Sequence, residues 1–111
     1  MDRDGLLAHI RATHFESGDR DRAVADAQRI ARFLEQSGAR SVIGIGSAFD
    51  PERPFSHRSD IDLVVDGLPA RRFFSVSAQA AAMTRFHLDL TPAETATPAL
   101  LRVASEHGTR L

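Results

Sequence analysis

The sequence predicts an α+β fold, an α/β sandwich with helices packed on a small mixed sheet of three to four strands. Three observations carry this. Asp60 to Val65 reads as a strand whose first four residues alternate with period two, which puts Asp60 and Asp62 on one face and Ile61 and Leu63 on the other. Phe86-His87-Leu88-Asp89-Leu90 alternates in the same way, with Phe86, Leu88 and Leu90 toward the core. Stretches of helical spacing stand before the first strand, between these two and after them.

Taken in order, Leu6, Leu7 and Ile10 line one side of a short first helix over Asp4 to His14, weakened by Gly5. Ser17-Gly18-Asp19 is a break, with Asp19 as the expected N-cap of the next helix. From Arg20 to Ser37, Val24, Ala27, Ala31 and Leu34 recur at helical spacing, flanked by Ile30 and Phe33. Arg22, Asp26, Arg29 and Arg32 form its solvated face, and Gly38 stops it. Ser41 to Gly46 is the first strand, in which Gly44 implies a close backbone approach or a bulge. Residues 48–59 contain Pro51 and Pro54 and form neither a regular helix nor a central strand.

That loop has no room for a crossover helix, so the strands on either side of it should be antiparallel neighbours. Pro69 opens a third helix that reaches Met83, with Phe73, Val76, Ser77 and Ala80 facing inward. The strand after it should run parallel to the Asp60 strand. Thr97-Pro98 caps and starts a last helix through His107, Gly108 ends it, and Leu111 closes a short final strand. There are no internal repeats, and the 111 residues read as one domain.

Composition excludes several chemistries. The net charge of −1 argues against strong nucleic-acid binding, which draws on a basic surface. All 14 basic residues are arginine, so a Walker-type phosphate loop and Schiff-base catalysis are ruled out. With no cysteine there is no disulfide, thiol nucleophile or cysteine–zinc site. No apolar run approaches the ~20 residues of a membrane span, and Met1-Asp2-Arg3-Asp4 does not resemble a signal peptide. A cytoplasmic location is expected.

The chemistry concentrates between Ile45 and Leu63. Two adjacent carboxylates repel, and a fold keeps such a pair mainly where a cation offsets the repulsion. Asp89 lies on the polar face of the neighbouring strand and supplies a third acid. Ser47 and the backbone N–H groups of the Gly46 turn are suited to phosphate oxygens. Oxygen ligands without sulfur fit magnesium or manganese. His87 shares a strand face with Asp89, a His-x-Asp arrangement, whereas His9, His14 and His107 read as ordinary surface or half-buried residues and His57 lies in the loop. No zinc-type histidine spacing and no Gly-x-Ser-x-Gly elbow occurs.

These residues resemble the signature of the DNA-polymerase-β-like nucleotidyltransferases: Ile45-Gly46-Ser47, a twelve-residue spacer, then Asp60-Ile61-Asp62-Leu63. From Ala23 to Leu111 the chain is similar in kind and order to the minimal nucleotidyltransferase branch. Asp66-Gly67-Leu68-Pro69 leads into a helix with Phe73-Phe74, followed by His87-Leu88-Asp89-Leu90 and then by Thr97 to Leu111.

The resemblance implies that Asp60, Asp62 and Asp89 bind magnesium or manganese. Asp89 is either a ligand or the acceptor of the nucleophile's proton, and Gly46 and Ser47 hold the β,γ-phosphates. The activity implied is transfer of AMP from ATP to a hydroxyl. The partner implied is a HEPN-domain toxin, with this chain as its antitoxin; the alternative is an impaired antitoxin that acts by direct binding. The chain has no tyrosine, which excludes tyrosine self-modification. The apolar N-terminal helix and the Phe49–Phe55 loop are candidates either for a contact surface or for the core. One departure stands out: the family's small residue followed by Arg-Gly is replaced by Ala48-Phe49-Asp50-Pro51-Glu52-Arg53, leaving Arg53 and Arg58 as the candidate phosphate cations.

Overall fold

The computed structural model describes residues 18–55 and 60–111; the expected first helix, Ser17, His57 and Arg58 lie outside the described residues. Helix α1 spans Asp19–Gln36. Its start corrects the expected capping. The N-cap is Gly18, at φ 89°, and Asp19 is already helical. The Asp19 carboxylate accepts from Arg22 Nη1 at 3.1 Å and from Arg85 Nη2 at 2.5 Å. A glycine turns the chain into the helix, and the acid is claimed by a cation 66 positions away.

The buried stripe of α1 is Ala23, Ala27, Ile30, Ala31 and Leu34, whereas Val24 is only half-buried, so the inward face is rotated slightly from the expected one. On the polar face, Arg22, Arg29 and Arg32 are exposed. Asp26 does more than face water: it accepts from Arg29 Nη2 at 2.6 Å and from Thr84 Oγ1 at 2.7 Å, tying α1 to the turn before the third strand. The helix closes with Ala39 N donating to Leu34 O at 3.0 Å and Gly38 N to Glu35 O at 3.1 Å, which satisfies two end carbonyls.

Strand β1 is Ser41–Ile45, and a 3₁₀ turn follows at Ser47–Phe49. Strand β2 is Ile61–Asp66. The helix expected from Pro69 to Met83 divides into a 3₁₀ turn, Ala70–Arg72, and helix α2, Phe73–Ala81. Val76 and Ala80 of α2 are buried. Strand β3 is Leu88–Pro92, shifted from the expected 86–90. Thr84 Oγ1 accepts the Phe86 amide at 3.2 Å in the turn before the strand, and the ladder to β2 opens with Ile61 N donating to His87 O at 2.8 Å. Pro92 is tolerated because β3 is an edge strand. A 3₁₀ turn, Ala93–Thr95, leads to helix α3, Pro98–His107, where Thr97 Oγ1 accepts from Leu100 N at 3.2 Å as expected of its cap. Strand β4 is Thr109–Arg110.

The sheet order is β3-β2-β1-β4. β1 and β2 are antiparallel, as are β1 and β4, and β2 and β3 are parallel, as the loop lengths required. Val42, Ile61, Leu63 and Val65 pack with α1 and α2 into one core. Ile43 alternates with Val42 and faces the other side of the sheet. A Cβ on Gly108 would lie 2.3 Å from Ile43 Cγ2, so the end of α3 is pressed onto that second face. Because Ile43 pairs with Val64 and Ile45 with Asp62, the same face carries the acids. Among the described residues, no helix is long and apolar enough to cross a membrane.

Candidate active site

The site is assembled by strand register. Ile45, the last residue of β1, pairs with Asp62, and Asp62 pairs across the parallel ladder with Asp89. Asp60 sits just before β2, with its Oδ1 3.4 Å from His87 Nδ1. All three acids named from the sequence therefore gather at one end of β2 and β3.

Gly46 delivers the turn to the same place. Its backbone, φ 84° and ψ −165°, lies in a region open essentially to glycine alone. A Cβ there would stand 2.8 Å from Asp62 Oδ2, so the turn abuts the carboxylate. Phe49 N donates to Gly46 O at 3.1 Å and closes the 3₁₀ turn, which carries Ser47. The Phe49 ring then lies over Gly44, where a Cβ would meet ring atoms at 2.4 Å. This is the close approach that a glycine within β1 implied.

Electrostatics mark Asp62 as the strained member. Its carboxyl is held above the usual range first by burial, then by the charges of Asp60 and Asp89; His87 and Arg53 pull the other way. The three acids are thus within electrostatic reach of one another, and added positive charge would relieve them. Among the described residues, no three Asp, Glu or His side chains converge tightly enough to grip a metal ion as they stand. The donor set nevertheless suits a hard cation, since it is all carboxylate oxygen and the acids repel one another.

His87 Nδ1 lies 3.4 Å from Asp60 Oδ1, and the His87 carbonyl accepts from Ile61 N at 2.8 Å at the start of the β2–β3 ladder. His107, expected to be ordinary, borders a cavity of about 520 Å³ shared with Gly46, Arg53 and Val103. Phe55 is not a contact surface: it is 1% exposed and meets Phe86 edge-on at 5.6 Å between ring centroids. Phe49 packs against the core.

One residue the sequence reading missed is Arg20, whose Nε donates to Ser47 O at 3.3 Å and whose Nη2 donates to Arg53 O. With partners 27 and 33 positions away, no local pattern announces it.

No family model matches the chain, and no curated protein does. Solved structures do. A toxin–antitoxin pair, MntA-HpeT, carrying two Asp-to-Glu substitutions superposes with TM-score 0.63 at 16% identity, over 75% of this chain and 69% of the other. A tri-AMPylated HEPN toxin from Shewanella oneidensis in complex with its MNT antitoxin gives TM-score 0.59 at 17% identity, over 79% and 70%. The chain has the minimal nucleotidyltransferase fold. Within that fold, the acids and the Gly46 turn occupy one end of the mixed sheet, on the face that α3 also approaches.

Proposed function

We propose that this chain is a nucleotidyltransferase that moves AMP from ATP onto a hydroxyl of a partner protein, and that the partner is a HEPN toxin it neutralises. The observation that carries the reading is the register of Asp62 against Asp89, with Gly46 wedged against Asp62. The fold likeness supports it: one neighbour is a HEPN toxin bearing AMP groups, bound to its antitoxin. In the other, the substituted aspartates are two positions apart, the spacing of Asp60 and Asp62 here.

In this reading Asp60, Asp62 and Asp89 hold magnesium or manganese, which supplies charge neutralisation at the phosphates. Gly46 and Ser47 offer their turn to the β,γ-phosphate oxygens, and the closeness of Gly46 to Asp62 sets the α-phosphate beside the acids. Asp89 is exposed and can take the proton of the acceptor hydroxyl. The acceptor oxygen bonds to the α-phosphorus, the bond to the bridging oxygen breaks, and pyrophosphate departs. Catalysis is then mainly positioning and electrostatic stabilisation.

A second reading is favoured by one observation, the acids Asp50 and Glu52 in the loop after Ser47: an antitoxin that no longer turns over and neutralises by contact. Incubation with α-labelled ATP, magnesium and the protein encoded beside it separates the two. Transfer of label that is lost in Asp60→Ala supports the enzyme. Neutralisation that survives Asp60→Ala with no label transferred sinks it.

A further inference from the structure

The loop after Ser47 places two acids beside a turn read as phosphate-binding, and yet its backbone is fastened at both ends by one guanidinium. Arg20, in the first turn of α1, donates from Nε to Ser47 O at 3.3 Å and from Nη2 to Arg53 O. Between those points, Asp50 O accepts from Arg53 N at 3.1 Å and Asp50 Oδ1 accepts from Glu52 N at 3.0 Å, so the Asp50 carboxylate is engaged by the loop's own backbone. The result of this tethering is that Arg53 lines the cavity of about 520 Å³ that opens from Gly46 toward Val103 and His107. Among the described residues, the Arg53 guanidinium makes no ion pair.

We propose that Arg53 receives the phosphate tail of the nucleotide in this cavity and that Arg20 is the positioning residue that holds Arg53 there. The inference rests on the nucleotidyltransferase reading of the neighbouring acids. A guanidinium presents paired donors that match phosphate oxygens, and a cavity of this size is in the range that holds a small ligand. Asp50 and Glu52 border the same cavity, so an anion entering it without Arg53 meets two carboxylates and little to offset them. A planar fork can reach two separate carbonyls, whereas a lysine ammonium is a single point and cannot bracket both.

The test is equilibrium dialysis of the purified chain with labelled ATP, with inorganic tripolyphosphate as competitor. Arg53→Met should weaken ATP binding roughly 10- to 100-fold, the span of a lost charge-assisted contact, and tripolyphosphate should weaken in parallel. Arg20→Met should weaken ATP while shifting the thermal midpoint by only a few degrees, and Arg20→Lys should fall between it and wild type. Because Arg20 acts through Arg53, the double variant should bind no worse than Arg53→Met alone.

Unchanged ATP and tripolyphosphate affinity in Arg53→Met overturns the proposal, and independent, additive losses overturn the positioning role. If wild type transfers label, Asp62→Asn does not, and Arg53→Met binds normally, this inference fails while the functional reading stands. If wild type neither binds ATP nor transfers label, both fail.

Discussion

Gly46→Ala is the substitution whose effect the structure constrains most tightly. Two penalties apply at once. Alanine must adopt φ 84°, ψ −165°, a conformation closed to residues with a Cβ, at a cost of about 1–3 kcal/mol. Its methyl would also begin 2.8 Å from Asp62 Oδ2, about 0.7 Å inside an ordinary contact of roughly 3.5 Å. The carboxylate is the softer partner and should swing away. At ~4–8 °C per kcal/mol for a small domain, the backbone term lowers the thermal midpoint by roughly 5–20 °C. A displacement approaching 1 Å in a reacting group costs on the order of 100-fold in rate, so AMP transfer should fall by about 10- to 100-fold at a temperature where the variant is still folded.

Gly18→Ala provides the control. Gly18 also has a left-handed φ of 89°, but a Cβ there meets nothing within 4 Å among the described residues. It should lose about 1 kcal/mol and keep its transfer rate. Far-UV circular dichroism melts and label transfer below both midpoints measure the two effects separately. A Gly46→Ala protein that melts with wild type and transfers at the wild-type rate would refute the reasoning. So would an equal loss of transfer in Gly18→Ala.

Asp62→Asn should abolish transfer while raising the stability of the ligand-free protein near neutral pH. Because the folded state raises the Asp62 pKa, ionising it opposes folding at all higher pH, and that opposition fades as pH falls through the folded pKa toward the unfolded one near 3.8. The gain of Asp62→Asn over wild type should therefore shrink in melts taken at progressively lower pH. Magnesium should raise the wild-type midpoint and leave Asp62→Asn nearly unmoved, since only a site that binds in the folded state adds stability. Phe55→Ala removes a buried ring and should cost about 3–5 kcal/mol in denaturant unfolding. Thr97→Ala deletes the cap of α3 and should cost about 1 kcal/mol without altering transfer.

Much of this was legible in the residues. Alternation in Asp60–Leu63 and around Leu88–Leu90 fixes which side chains share a face, and loop length decides antiparallel against parallel pairing. Those two facts suffice to bring Asp60, Asp62 and Asp89 together. What sequence patterns hide are interactions decided by distant partners. Asp19 looks like a cap until Arg85 claims it, and Asp26 looks solvated until Thr84 reaches it. Phe55 follows a run of exposed residues from Pro51 to Pro54, yet Phe86 draws it into the core. Arg20 reaches Ser47 and Arg53 only because the start of α1 lies against the 47–53 loop. The start of β3 at Leu88 is likewise set across the sheet, by its pairing with Ile61.

The pairing of Asp62 with Asp89 is enforced by the residues on either side of it. Leu63 pairs with Leu90 and Ile61 with Leu88, and these apolar side chains belong to the core or pack on it. A slip of one position between β2 and β3 would turn Leu88 and Leu90 outward and drive Asp89 and Thr91 into the apolar layer. The alignment of the acids is thus proofread by side chains on the opposite face of the sheet. It follows that chemistry and architecture can part company in descendants of this fold. Substituting the carboxylates would leave the strand register untouched, and a protein that had abandoned catalysis for simple binding would keep the same scaffold ready for the acids to return.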